Sequence, residues 1–353
     1  MTEARKAINL ALQGGGAHGA FTWGVIDTLL EDGRIDVEAL SGCSAGAMNA
    51  VVFCSGYVNG GADGAREALE NYWHAISRAA ALSPFQRSPL DMLMGNWSLD
   101  SSPSYVFFDL MSRVASPYDL NPLDYNPLRD IIEDSIDFDA VRACHKTKLF
   151  ISATNVHTGR VRVFRCPEIT VDVVMASACL PFLFKAVEID GVPYWDGGYM
   201  GNPALHPFFY ECTTSDLLLV QINPIQRTET PKSAREILNR VNEITFNSSL
   251  QNELRSIDFV TRLLDAGHLD STRYKKINLH VIHGDEPLKE MSASSKVNAE
   301  WEFLTTLRDL GKAAAAGWLE RDFDTVGERS SVNLREMFGG YMPPPEAAGT
   351  GTG

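Results

Sequence analysis

The sequence predicts an α/β fold in which helices cover both faces of a mostly parallel central sheet. Short apolar runs that suit buried strands alternate with stretches of helical periodicity along most of the chain, and this alternation is typical of parallel βαβ units. Glycine-containing turns also follow directly on the first two apolar runs, and each of these turns opens a helix.

The individual elements follow this alternation in order. The predicted strands are 8–12 and 37–40, the two hairpins at 149–164 and 187–195, and the single strands 217–222 and 279–282. The predicted helices are 21–32, 45–54, 65–81, 171–180, 233–266 and 301–323, with Gly60-Gly61 as the break between the second and the third.

Residues 83–126 interrupt the alternation. Five prolines divide this segment, and many of its large side chains are apolar: Phe85, Met92, Leu93, Met94, Trp97, Tyr105, Phe107 and Phe108. So many apolar groups must pack either in the protein's own core or on a bound lipid. Because prolines favour irregular backbone, we expect a mobile, lid-like insertion over a binding site. The Gly- and Pro-rich tail at 339–353 is expected to be disordered.

The balance of charge narrows the class of protein. With 31 basic and 45 acidic residues the net charge is −14, which argues against nucleic-acid partners because phosphates require neutralisation by Lys and Arg. It also argues against electrostatic docking on anionic lipid, so any membrane contact should be local and apolar. The six cysteines show no metal-ligand spacing, and no apolar run is long enough to span a membrane. We expect a cytoplasmic protein with no metal and at most peripheral membrane contact.

The first glycine motif, Gly14-Gly15-Gly16-Ala17-His18-Gly19, follows the first strand and is open to two functional interpretations. One is a dinucleotide loop, in which Gly14, Gly16 and Gly19 satisfy G-x-G-x-x-G and Asp36 lies near the place of a ribose-binding carboxylate. The other is an oxyanion hole, in which unhindered backbone N–H groups face developing negative charge. A simple glycine-rich turn is the third alternative.

The second motif, Gly42-Cys43-Ser44-Ala45-Gly46, lies between a strand and a small-residue helix. That is the context of a nucleophile elbow, where Gly42 and Gly46 allow a sharp turn and Ser44 stands at the helix N-terminus. The dinucleotide interpretation leaves this motif unexplained. The pair of motifs therefore favours acyl transfer with Ser44 as nucleophile.

A serine nucleophile needs a base, and none of the eight histidines lies in a distinctive motif. Asp196, in Tyr194-Trp195-Asp196-Gly197-Gly198, follows an apolar strand and precedes two glycines. An Asp-Gly pair also suits a simple hairpin turn. The end of a strand beside the crevice of an α/β sheet is, however, where catalytic groups tend to lie.

Together the glycine loop, the elbow and Asp196-Gly197-Gly198 resemble the patatin-like phospholipases, and Asn202-Pro203 resembles a later motif of that family. The resemblance spans roughly residues 8–225. It implies a patatin-like three-layer α/β/α sandwich and a Ser–Asp dyad without histidine. It further implies an oxyanion hole formed by the glycine loop, which comprises Gly14, Gly15, Gly16 and Ala17.

The expected protein is one domain over 1–338, with a catalytic core at about 8–225, the insertion at 83–126 and a helical region at 230–338. The expected activity is hydrolysis of an ester bond in a lipid-like substrate through an acyl-Ser44 intermediate, without a cofactor. Asp196 would need burial to raise its pKa from the ordinary value near 3.9.

Three alternatives stay open. A Ser-His-Asp hydrolase would use His206 or His268 as its base, and an oxidoreductase would bind a dinucleotide at the glycine loop. The third is a non-enzymatic lipid-binding protein that has kept the fold, which the presence of both Ser44 and Asp196 disfavours.

Overall fold

A mixed sheet of eight strands forms the centre of the protein in the computed structural model, which describes residues 5–112 and 114–337. The tail predicted to be disordered, 339–353, lies outside the described residues. The strands are β1 (Lys6–Leu12), β2 (Ile35–Gly42), β3 (Lys148–Asn155), β4 (Val161–Arg165), β5 (Val187–Ile189), β6 (Val192–Asp196), β7 (Asp216–Gln221) and β8 (Asn278–His283).

The sheet has the order β5-β6-β3-β2-β1-β7-β8, with β4 paired to β3 beside this path. The five strands from β3 to β8 in this order run parallel to one another, whereas β4 and β6 are antiparallel to β3 and β5 is antiparallel to β6. The predicted α/β class with a mostly parallel sheet is confirmed. The two predicted hairpins are the antiparallel pairs β3–β4 and β5–β6.

Two hydrophobic cores lie on opposite faces of this sheet, since alternate residues of each strand point to opposite sides. In β1, Leu10 and Leu12 pack into the larger core, and Ala11 packs into the smaller one. The helices of the described residues are α1 (Gly19–Asp32), α2 (Ala45–Ala80), α3 (Pro89–Leu93), α4 (Pro103–Met111), α5 (Pro117–Leu120), α6 (Pro127–Ser135), α7 (Phe138–Arg142), α8 (Val171–Ser177), α9 (His206–Glu211), α10 (Ala234–Asp265), α11 (Asp285–Glu290), α12 (Trp301–Asp322) and α13 (Leu334–Met337).

Residues of α1, α2, α8 and α12 fill the larger core, and residues of α9 and α10 fill the smaller one. The result is the predicted three-layer sandwich. The break predicted at Gly60-Gly61 is confirmed as a kink, because both residues have non-helical backbone angles within the run assigned to α2. No helix of the described ranges is both long enough and apolar enough to cross a bilayer.

The insertion at 83–126 is not the irregular segment that its prolines predicted. It contains α3, α4 and α5, and each of these helices begins with a proline: Pro89, Pro103 and Pro117. Proline suits the first turn of a helix, where its missing N–H would have no partner and its fixed φ is already helical. Three of the five prolines of the insertion therefore mark helix starts.

The insertion is attached to the rest of the protein at both ends. Near its start, the Arg87 guanidinium binds the Glu300 carboxylate, and the Trp97 ring stacks on Phe303 with 5.0 Å between centroids. Near its end, the carbonyl of Pro122 accepts a hydrogen bond of 2.9 Å from the Lys185 ammonium. Of the apolar side chains expected to meet lipid, Trp97 thus packs on the protein itself.

Candidate active site

Ser44 occupies a strained turn between β2 and α2. Its backbone angles, φ 53° and ψ −124°, are costly for a residue with a side chain, and such strain is typically held by the surrounding structure. Here the Ser44 N–H donates to Ser177 Oγ at 3.0 Å, and the Ser177 hydroxyl donates to the Ser152 carbonyl at 2.7 Å. The turn leaves Ser44 partly exposed at the N-terminus of α2, where the helix dipole favours negative charge.

Asp196 ends β6 and is fully buried. Its Oδ1 atom accepts hydrogen bonds from the Gly198 N–H at 2.7 Å and from the Cys43 thiol at 3.3 Å. Among the described residues, nothing donates a hydrogen bond to its Oδ2 atom. One oxygen of the carboxylate is therefore held in place and the other is free.

Burial raises the pKa of the Asp196 carboxyl to about 6, because the charged form loses its hydration. The hydrogen bonds from Gly198 and Cys43 oppose this shift, and the Ser44 hydroxyl opposes it more weakly. No hydrogen bond of normal geometry joins Ser44 to Asp196, although the hydroxyl lies near enough to influence the carboxylate. A carboxylate with this pKa is ionised at neutral pH and is a much better proton acceptor than a solvated one.

The glycine loop lies against the elbow. A side-chain carbon on Gly14 would come within 2.7 Å of both the Cys43 carbonyl and the Ser44 Cβ atom, so the close approach of the two motifs requires glycine there. Gly16 has φ +59° and packs against the Lys296 backbone, which again leaves no room for a side chain. The two motifs that the sequence places about 30 residues apart thus meet at the carboxyl ends of β1 and β2.

One member of the expected oxyanion hole needs correction. The Gly14 N–H donates to the Asn202 side-chain oxygen at 2.7 Å and has no free hydrogen to offer a substrate. The N–H groups of Gly15, Gly16 and Ala17 have no acceptor among the residues that the structure describes. Gly15 and Gly16 are also accessible to solvent, so their donors can meet a ligand.

A buried amide network fixes the loop, and most of its residues lie outside the motifs of the sequence. Gln13 Oε1 accepts from the backbone N–H groups of Ile222 and Asn223 at 3.0 and 2.9 Å, and its amide nitrogen donates to Asn247 Oδ1 at 3.2 Å. The Asn223 amide in turn donates to the Gly14 carbonyl at 2.6 Å. Because buried polar groups without partners are costly, this network holds the loop in one conformation. A polar residue at the end of each of two buried strands was the available signal.

Lys296 is a second residue without a sequence signal. Its ammonium donates to Asn223 Oδ1 at 2.7 Å, next to the glycine loop, and burial lowers the pKa of this lysine. Together with Arg227, Lys296 also lowers the pKa of His18 in the glycine loop. Burial first, then these two positive charges, lower the pKa of His18 to about 3. His18 is therefore neutral, and its Nε2 atom is hydrogen-bonded to Ser295 Oγ at 2.8 Å.

The histidines of the alternative triad lie apart from this arrangement. The His206 imidazole is 44% exposed and faces Glu253 at 3.9 Å, while His268 is exposed just beyond the C-terminal end of α10. Neither imidazole makes a hydrogen bond with Ser44 or Asp196. The described residues contain no group of three or more side chains suited to hold a metal ion.

The fold is a three-layer α/β sandwich with two glycine turns at the carboxyl ends of neighbouring parallel strands. Residues 10–209 match the family model described as patatin-like phospholipase. This match covers more than half of the chain, so the chain belongs to the patatin-like phospholipase family, as its motifs predicted. The family match supports the acyl-hydrolase interpretation of the glycine loop over the dinucleotide interpretation.

Comparison with solved structures finds distant likenesses. VipD from Legionella pneumophila is 16% identical with a TM-score of 0.37, and the alignment covers 86% of this chain and 67% of VipD. ExoU from Pseudomonas aeruginosa, solved in complex with SpcU, is 15% identical with a TM-score of 0.32, and the alignment covers 86% of this chain but 53% of ExoU. No curated protein matches the chain. Likenesses at these TM-scores support no inference about activity or partners.

Proposed function

We propose that this protein is a serine acyl hydrolase that cleaves carboxylic esters of lipid-like substrates through a dyad of Ser44 and Asp196. The observation that carries the proposal is a free, fully buried carboxylate oxygen of Asp196 near a strained, partly exposed serine. A buried acceptor without a donor is costly, so its presence needs an explanation, and a catalytic role is one. Membership in a family of lipid hydrolases supports the same reaction class.

In the proposed reaction, Asp196 Oδ2 takes the Ser44 proton while Ser44 Oγ attacks the ester carbonyl. The N–H groups of Gly15 and Gly16, with Ala17 and Ala45 as further candidates, stabilise the negative charge on the tetrahedral intermediate. The protonated Asp196 then returns the proton to the departing alcohol, and an acyl-Ser44 ester remains. Water that gives its proton to the same carboxylate releases the acid and restores Ser44.

The direct test is covalent labelling. A fluorophosphonate probe should modify the native protein once, and peptide mass spectrometry should place the label on Ser44. Modification of another serine, or no labelling of a folded sample, would contradict the proposal. A chain-length series of p-nitrophenyl esters followed by a phospholipid panel then defines the acyl and headgroup preference.

The fall of kcat/KM at acid pH should reflect protonation of the Asp196 carboxylate. Only the ionised carboxylate can accept the Ser44 proton, and the pKa of this carboxyl is about 6. We therefore expect kcat/KM to rise with pH up to a midpoint near 6 and to level off above it, with a loss of about tenfold per pH unit well below the midpoint. A profile that stays flat down to pH 4.5 in a folded enzyme would contradict the role of Asp196.

The exposed apolar residues of the insertion are proposed to contact lipid. Leu93 and Met94 are 85% and 74% exposed at the end of α3, and Phe107 is 66% exposed on α4. Large exposed apolar groups are unfavourable in water and favourable at a lipid surface. With a net charge of −14, binding to a lipid aggregate should depend on these groups more than on charge.

The double variant Leu93→Ser, Met94→Ser should therefore lose several-fold in rate on aggregated long-chain esters and keep its rate on a soluble short-chain ester. Both side chains are exposed, so the melting temperature should stay close to that of the native protein. A matched control is Leu82→Ser, which is 91% exposed just before the insertion. Equal rates of all three proteins on both substrates would show that the insertion does not contact lipid.

A further inference from the structure

The residue that precedes the proposed nucleophile touches the proposed base. Cys43 Sγ lies 3.3 Å from Asp196 Oδ1, and both side chains are fully buried. The position of the sulfur is set by the elbow, because the Cys43 carbonyl accepts the Gly46 N–H at 2.8 Å at the start of α2. The thiol and the nucleophile thus belong to the same rigid turn.

The direction of this contact is determined by chemistry. An ionised carboxylate can only accept hydrogen bonds, so the thiol must be the donor. Burial and the neighbouring Asp196 charge both raise the pKa of the Cys43 thiol, which keeps its proton on the sulfur. The contact is therefore an S–H···O hydrogen bond to the charged form of the acid.

We propose that Cys43 is a positioning residue that, together with the Gly198 N–H, holds Asp196 Oδ1 and so directs the free Oδ2 atom toward the Ser44 hydroxyl. This inference rests on the proposed function. A carboxylate held through one oxygen by two donors on different elements, the elbow and the turn after β6, has a fixed orientation. With a single donor, the carboxylate would be free to rotate about that one hydrogen bond.

The charges around Asp196 make this donor important. The titratable groups that face it are the thiols of Cys43 and Cys179 and the phenol of Tyr199. Burial, chiefly, raises the pKa values of Cys179 and Tyr199 to about 12, so both are neutral at physiological pH. No cation is among the groups that shift Asp196. The negative charge is therefore stabilised mainly by hydrogen bonds, and Cys43 supplies the stronger of those that come from side chains.

Two substitutions at Cys43 should shift the pKa of the Asp196 carboxyl in opposite directions. Cys43→Ala removes a donor to the charged form and should move the acid midpoint of the reaction up by about 0.5 to 1 pH unit. Cys43→Ser offers a stronger O–H donor and should move the midpoint down. Below the midpoint, the alanine variant should react roughly three- to tenfold more slowly than the native protein at the same pH.

The experiment measures the rate of fluorophosphonate labelling at Ser44 from pH 4.5 to 9 for the native protein and both variants. Cys54→Ala is the matched control, because Cys54 is an equally buried thiol within α2 that does not contact Asp196. A higher midpoint for Cys43→Ala alone supports the inference. If Cys43→Ala and Cys54→Ala have the native midpoint, and differ only in the plateau rate, the thiol merely fills space and the inference is wrong.

Two further outcomes are separable from these. If Cys43→Ala does not fold, Cys43→Ser decides alone: a midpoint below that of the native protein supports the inference, and a midpoint equal to or above it overturns the inference. If the native protein is not labelled at Ser44, the proposed function itself fails, whereas labelling with an unchanged midpoint in every variant overturns only the role of Cys43.

Discussion

Ser44→Ala is expected to lower ester hydrolysis by roughly 10³-fold or more and to abolish fluorophosphonate labelling, since loss of a serine nucleophile removes the covalent route entirely. The oxyanion donors of the glycine loop would remain, so a small residual rate over water is compatible with the proposal. The variant should fold normally. Alanine has the same backbone restrictions as serine at φ 53°, and the Ser44 N–H still donates to Ser177.

The matched control for this substitution is Ser256→Ala. Ser256 lies on the outer part of α10, and its hydroxyl donates to the Asn252 carbonyl within the same helix. This control should keep the native rate and the native labelling. Full labelling of Ser44→Ala would show that another residue is the nucleophile.

Asp196→Asn is expected to lower kcat by roughly 10²- to 10⁴-fold, which is the usual contribution of a positioned general base. Asparagine has almost the same shape, and its carbonyl oxygen can still accept the hydrogen bonds from Gly198 and Cys43. Its amide nitrogen cannot take the Ser44 proton. The loss should therefore appear in the rate without a loss of folded protein, as measured by kinetics and thermal unfolding on the same samples.

The same substitution has an expected effect on stability with a definite sign. The pKa of Asp196 is raised from 3.8 to about 6 on folding, so the folded protein binds this proton more tightly than the unfolded chain does. That stabilisation is fully present below the unfolded pKa and is lost as the pH rises through about 6. At pH 8 the native protein contains a buried charge that the asparagine variant lacks. Asp196→Asn should thus have a melting temperature at pH 8 that is equal to or above the native value.

Histidine variants separate the dyad from a triad. His206→Ala and His268→Ala should each retain at least roughly a tenth of the native rate, because neither imidazole is hydrogen-bonded to Ser44 or Asp196. A loss of about 10³-fold on removal of one histidine would equal the loss of a general base and would indicate a triad.

Much of the candidate site and of the sheet was predictable from sequence, because the patterns that indicate them extend over only a few neighbouring residues. Apolar strand runs that are followed closely by glycine determine where the chain must turn sharply, as at 8–12 before Gly14. A G-x-S-x-G at such a turn indicates a nucleophile elbow, and an Asp-Gly-Gly after a strand indicates a carboxylate at the sheet edge. These patterns predicted Ser44, Asp196, the glycine loop and the class of sheet.

The insertion shows where local patterns mislead. Prolines both interrupt and begin helices, and the difference depends on whether their fixed φ falls in a first turn. At Pro89, Pro103 and Pro117 it does, with side chains such as Ser88 accepting a hydrogen bond from the first turn. The composition of 83–126 is correctly apolar, but its division into packed and exposed residues depends on contacts with α12 and with residues after α8.

By itself, the sequence determined the order along the chain of the strands and of the long helices α1, α2, α10 and α12. It also determined the two glycine turns and the identity of the candidate serine and carboxylate, because each depends on neighbours within a few positions. The tertiary structure alone decided which donors are free and which acceptors are paired. It assigned the Gly14 N–H to Asn202, joined Gln13 to Asn247, and placed the Cys43 thiol on Asp196. These pairs are far apart in the chain, and their hydrogen bonds follow from how strands meet at the sheet edge, which no local pattern encodes.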